Sequence, residues 1–173
     1  MKYLLACVWL LLFASSAYPQ KVTVDWDRTT NFSNYKTYAW GEGTPLQNPL
    51  MAQRVSNGID EHLAAKGFQK VEIGANPDLV VLYHAAVGAE TQLNMSNTSG
   101  FDWGAMWGTG MSATSTEKIP VGELVIDIGD AKTKKLLWMS KASDTLSDKP
   151  EKNEKKIDSA LNKMFQKFPP SAN

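Results

Sequence analysis

Val121-Gly122-Glu123-Leu124-Val125-Ile126-Asp127-Ile128 and Lys135-Leu136-Leu137-Trp138-Met139-Ser140-Lys141-Ala142 stand on either side of Gly129-Asp130-Ala131-Lys132-Thr133. Two runs rich in β-branched and other apolar residues, separated by a short cluster of turn formers, predict two strands joined as a hairpin. Upstream, Leu79-Val80-Val81-Leu82-Tyr83 is apolar at every position. That pattern predicts a strand inside a sheet covered on both faces. Val22, Val24 and Trp26 alternate with Thr23, Asp25 and Asp27, which places three apolar side chains on one face of a further strand. Tyr35 to Trp40 reads as another, after turn chemistry at Thr29, Thr30, Asn31, Ser33 and Asn34.

Two helices accompany these strands. Asn48-Pro49 opens the first, since an Asn side chain caps free N–H groups and Pro lacks only an N–H that the first turn leaves unused. Ala52, Val55, Ile59 and Leu63 then recur at helical spacing up to Gly67. The second starts near Pro150, carries Ile157, Leu161, Met164, Phe165 and Phe168 on one stripe, and stops at Pro169-Pro170. Glu151 and Glu154 in its first turn and Lys163 and Lys167 in its last suit the helix dipole. The order β-β-α-β(several)-α predicts an α+β fold, an antiparallel or mixed sheet with two helices packed on one face. Residues 88–116, rich in Gly, Ser, Thr, Asn, Met and Trp, show no sustained period and read as a long excursion.

The amino end adds a compartment. Lys2 precedes an apolar run from Tyr3 to Ala14 and the small residues Ser15, Ser16 and Ala17, the layout of a signal peptide cut after Ala17. The run is shorter than the roughly 20 residues a membrane span needs. The expectation is an exported chain, periplasmic or secreted, soluble after cleavage near Ala17, with residues 18–173 forming one domain. Cys7, the single cysteine, precedes most of the apolar run instead of following it, so acylation there is not expected. The domain then has no thiol to form a disulfide, and its core must suffice. The whole chain has 18 basic and 18 acidic side chains; losing Lys2 leaves a net charge of −1, with Arg28 and Arg54 the only arginines. No basic footprint for nucleic acid is present, and no second apolar run of membrane length.

Several segments together resemble the bacterial exported, lipoprotein-type family catalogued as domain of unknown function 4136. They are Val24-Asp25-Trp26-Asp27 with Asn31-Phe32-Ser33-Asn34-Tyr35-Lys36-Thr37-Tyr38-Ala39-Trp40; Asn48-Pro49-Leu50 with Lys66-Gly67-Phe68; Asp78-Leu79-Val80-Val81 with Tyr83-His84; the Gly/Trp-rich loop at 100–110; Gly122 to Asp127; Lys135 to Trp138; and Lys163 to Pro170. The resemblance implies one exported α+β domain. It carries no mechanism, because the family has no established activity. The chain departs from the lipoprotein members in having no cysteine after its apolar run.

No motif for catalysis, metal or cofactor is complete, and no cofactor is expected. Asp25, Asp27, Thr29 and Asn31 alternate like the start of a calcium loop, but Thr30 stands where glycine is required and Lys36 where a bidentate glutamate is required. His62, at the edge of its helix's apolar stripe, reads as a packing residue. His84 alternates with Val80 and Leu82 on one strand face; two histidines without thiolates lack a zinc ligand set. Gly110-Met111-Ser112-Ala113-Thr114 lacks the second glycine of a nucleophile elbow. Glu123 and Asp127 share a strand face about 13 Å apart, too far for a glycosidase pair. The lysines at 149, 152, 156, 163 and 167 read as the solvated flank of the last helix.

The loop is different. Phe101, Trp103, Met106 and Trp107 lie among glycines, and large aromatics left in water cost about 25 cal/mol per Å² of apolar area. These four, with His84, are the candidate binding residues. The first reading is a non-enzymatic envelope or secreted accessory domain that binds another macromolecule, an envelope protein or a glycan. A small-ligand binder for a glycan or apolar molecule, using the same loop, is the alternative. An enzyme of unrecognised type comes third and a carrier of cuprous ion fourth, the latter from the softness of the loop's thioethers.

Overall fold

The computed structural model describes residues 20–94 and 115–170, with backbone alone for 89–94 and 115–119. Its elements in chain order are β1 (Lys21–Trp26), β2 (Thr37–Trp40), α1 (Pro49–Ala65), β3 (Gln69–Lys70), β4 (Leu79–Asn94), β5 (Ser115–Asp130), β6 (Leu136–Thr145) and α2 (Pro150–Phe165). The strands form one sheet in the order β1-β6-β5-β4-β2-β3. Along β1, β6, β5 and β4 each strand is antiparallel to the next, whereas β2 is parallel to both β4 and β3. The fold is α+β with a mixed sheet. The hairpin read from residues 121–142 lies at its centre.

Alternation along each strand sorts the sheet into two faces. Tyr38, Leu79, Val81, Tyr83, Leu124, Ile126, Ile128, Trp138 and Ala142 point toward the helices and are buried with Val55, Ile59 and Leu63 of α1 and Leu161, Met164 and Phe165 of α2. Trp138 and Phe168 meet edge to face, ring centroids 5.1 Å apart. α1 is tied to β2 by Asp60, whose carboxylate accepts from the Tyr38 hydroxyl at 2.8 Å and the Trp40 indole N–H at 2.9 Å.

Several expectations are corrected. Val80, Leu82 and Val125 on the other face are half-buried, and no described helix lies over them, so among the described residues the uninterrupted apolar run of β4 does not carry helices on both sides. The chain at Gly41 crowds Val80 and Leu82 instead. β2 begins at Thr37, not Tyr35, because Phe32–Asn34 form a 3-10 turn capped by Asn31, and the Lys36 and Thr37 N–H groups both donate to Asp78. The excursion read at 88–116 includes strand at both ends: β4 continues to Asn94 and β5 starts at Ser115, paired residue by residue. β5 carries Pro120 and Gly122 within it. The Pro120 carbonyl accepts from Leu146 N–H at the end of β6, and in an antiparallel strand a residue's N–H and C=O point the same way. The donor that proline lacks would therefore have faced a side where the neighbouring strand is ending.

Candidate functional site

Two features converge at the end of the molecule where both helices begin. The first is an arm. The last bonds from other segments onto β4 and β5 run from Ala85 N–H to Thr44 and from Leu146 N–H to Pro120. From Glu90↔Ile119 to Asn94↔Ser115 the two strands pair only with each other among the described residues. A lone two-stranded ribbon is marginally stable in water, and each of its outer edges presents unpaired main-chain groups.

The second is a cleft of about 280 Å³ at the root of that arm. Leu46, Met51, Val55, Leu124, Leu146 and Ile157 line it, with Gln20, Asp144, Asn153 and Lys156 among its polar groups. It exists because the apolar stripe of α2 begins only at Ile157: one turn earlier Asn153 turns back to bond Ser147. Lys156 donates to Asp144 Oδ1 at 3.0 Å, Thr145 O at 2.6 Å and Thr145 Oγ1 at 3.1 Å. The lysine expected on the solvated flank thus pins α2 to the end of β6. Leu146 lies over Gly122, where a Cβ would come within 2.8 Å of the leucine side chain. Sequence reading missed the cleft; the polar residues at 153 and 156 in an otherwise apolar stripe were its only signal.

Of the candidate residues, Phe101, Trp103, Met106 and Trp107 lie outside the described residues, as does the signal-peptide segment 1–17. His84 sits on the helix-free face of the sheet, its Nδ1 3.1 Å from Thr44 Oγ1 and its Nε2 3.9 Å from Asp127 Oδ2. The second distance is beyond hydrogen-bond reach, so the carboxylate does not orient the ring. Burial raises the Asp127 pKa, and His84 partly offsets the rise. Glu123 pairs with Lys141 at 2.6 Å. His62 packs on Phe165, on the other side of the sheet from His84. Asp27 closes its own turn, accepting from Thr29 and Thr30 and pairing with Lys135, which holds its pKa well below the usual carboxylate range. No group of three or more His, Cys, Asp or Glu side chains able to hold a metal occurs among the described residues. No described helix is long and apolar enough to cross a membrane.

A family model described as domain of unknown function (DUF4136) matches residues 22–170, nearly the whole described fold. The chain belongs to the DUF4136 family. Another DUF4136 family protein, from Bacteroides thetaiotaomicron, is 16% identical and superposes with a TM-score of 0.59 over 87% of this chain and 96% of that one. A PDZ domain protein from Parabacteroides distasonis is 19% identical, with a TM-score of 0.56 over 88% of this chain; the DUF4136 chain spans 36% of its length. A PelC dodecamer from Paraburkholderia phytofirmans is 12% identical, with a TM-score of 0.49 over 84% of this chain and 93% of that one. At such identities the first two likenesses are of fold alone. No curated protein matches the DUF4136 sequence.

Proposed function

We propose that this DUF4136 chain is a non-enzymatic accessory domain of the cell envelope or exterior that binds another macromolecule through its β4–β5 arm. The observation that supports this reading is the run of paired residues from Glu90↔Ile119 to Asn94↔Ser115 with no third strand beside it among the described residues. Main-chain donors and acceptors along such an edge suit an added polypeptide strand. Residues 95–114, which connect the two strands, include Phe101, Trp103, Met106 and Trp107, side chains of the kind enriched at contact sites.

Two variants test it. Replacing residues 90–119 with an Asn-Gly turn should leave a domain that melts like the parent, because the bonds that other described segments make to β4 and β5, out to Ala85 with Thr44 and Leu146 with Pro120, are all kept; capture of the native partner in a pull-down from the envelope should be lost. Trp103→Ala with Trp107→Ala should abolish the same capture with little change in melting temperature. Capture retained by both variants rejects the arm as the contact element. A large drop in melting temperature of the Trp pair, by the about 3–5 kcal/mol each buried aromatic contributes, would instead make those rings core residues.

A further inference from the structure

Asp27 N–H donates to the Leu137 carbonyl at 2.8 Å, continuing the ladder that pairs β1 with β6. Along an antiparallel strand the main-chain groups of successive residues turn to alternate sides. Asp25, Thr23 and Lys21 therefore present their N–H and C=O groups to β6, and Trp26, Val24 and Val22 direct theirs away from the sheet. β1 is an edge strand, so the main-chain groups of Val22 and Val24 have no strand beside them among the described residues. The Trp26 N–H is taken at 2.9 Å by Asp25 Oδ1, which closes the open edge at that end. The opposite edge, β3, is two residues long, whereas β1 has six, with neither proline nor a bulge. A regular edge of this kind is a template for another strand.

The side chains select the strand that fits. Val22, Val24 and Trp26 stand on the helix side, partly buried against the core, while Lys21, Thr23 and Asp25 stand exposed on the other face. Two copies of β1 set antiparallel about a twofold axis through Thr23 bring Val22 of each opposite Val24 of the other, threonine opposite threonine, and Lys21 of each opposite Asp25 of the other. Apolar, threonine and opposite-charge pairs are the ones that stabilise facing strands. In this register the valines are also the residues whose main-chain groups meet. The neighbouring registers that match outward groups are poorer. An axis through Val22 leaves Lys21 opposite threonine, one through Val24 sets it opposite Asp27, which Lys135 already holds, and one through Asp25 opposes two aspartates. The Asp25 side chain is accessible, 76% exposed, and its one ion pair among the described residues is with Arg28 at 3.7 Å.

We propose that β1 is a self-association edge, on which two copies of this chain pair β1 with β1, antiparallel about Thr23. The sheet then runs on from one copy into the other, with the helices of both on one face. The pairing uses no residue of the β4–β5 arm, so it stands or falls separately from the arm's role.

A disulfide tests the register. Residues opposed at a non-hydrogen-bonded rung have Cα atoms about 4.5 Å apart, within the span of a disulfide. In the full chain carrying Cys7→Ser, which removes the only native thiol, Thr23→Cys should oxidise to a species of twice the mass on a non-reducing gel. Ile73→Cys, at an exposed site in the loop between β3 and β4, should cross-link far less. Sedimentation velocity tests the charge pairs. Lys21→Asp sets like charges opposite each other twice and should weaken dimerisation about tenfold or more, and Lys21→Asp combined with Asp25→Lys should restore it. A parent chain that sediments as a monomer at every concentration, equal cross-linking of the two cysteine variants, a dimer that Lys21→Asp leaves intact, or one that the double exchange fails to restore overturns the proposal.

Discussion

His62 lies face to face with Phe165, their ring centroids 5.1 Å apart and their planes 9° from parallel. The stack joins α1 to α2. Burial is the main cause that lowers the His62 pKa; Lys66 adds to it and Glu61 opposes it. Unfolded, the ring titrates near its ordinary 6.5. The unfolded chain therefore takes up the proton first as pH falls, so this residue's contribution is whole above about 6.5 and declines below it, levelling once the folded ring is protonated too. Melting temperature followed from pH 7.5 to 5 should fall in the parent and fall less in His62→Phe. Identical slopes would show that other groups carry the pH dependence.

Asp78 and Thr37 hold the start of the parallel pairing between β2 and β4. The carboxylate accepts from the N–H groups of Lys36 and Thr37, both at 2.9 Å, and Thr37 Oγ1 accepts from the Asp78 N–H at 3.0 Å. These main-chain donors depress the Asp78 pKa. Its contribution is present above pH 3.8 and is lost as pH falls through the lower folded value. Asp78→Ala should destabilise by roughly 1–3 kcal/mol at pH 7, measured by urea unfolding. The difference from the parent should shrink toward pH 2.

Gly43 permits the chain to cross Tyr83 after β2. A Cβ at this position would lie 2.2 Å from the Tyr83 carbonyl oxygen, a backbone atom with no rotamer to yield. Gly43→Ala should cost about 1–3 kcal/mol, as overpacking does. Gly74→Ala, where a Cβ meets nothing within 4 Å, should be neutral or slightly stabilising. Equal melting temperatures for the two variants would mean that the crossing relaxes freely.

Lys156 places three hydrogen bonds on the end of β6. Lys156→Met keeps the length of the side chain and removes the donors, leaving Asp144 with Gln20 at 3.5 Å and Thr145 at 3.3 Å. The loss should be about 1–3 kcal/mol. Lys152→Ala, an exposed position on the same helix, should change stability by less than about 0.5 kcal/mol. A similar loss in both would reduce Lys156 to one more surface charge.

Local chemistry was enough to read most of the architecture. The alternation of Val22, Val24 and Trp26, the Asn48-Pro49 start, Gly67 in the left-handed region at φ 86° and the stripe ending at Phe168 are each written within a few residues of sequence. Backbone geometry turns such short patterns into strands, caps and faces without distant partners. The order of strands did not follow from those patterns. β2 sits beside β4 through Asp78, which is 41 residues from Thr37, and nothing near either residue announces the other.

The sequence by itself determined the class of fold, both helices with their buried faces and the central hairpin, because periodicity and capping act over one or two turns of chain. Only the tertiary structure decided that both described helices pack on one face of the sheet, that β4 and β5 run on past their described neighbours as an arm, and that Gln20, Leu146 and Lys156 meet around one cleft. The physical reason is distance along the chain. Gln20 and Lys156 are 136 residues apart, and the meaning of a polar residue in an apolar stripe depends on a carboxylate supplied by another strand.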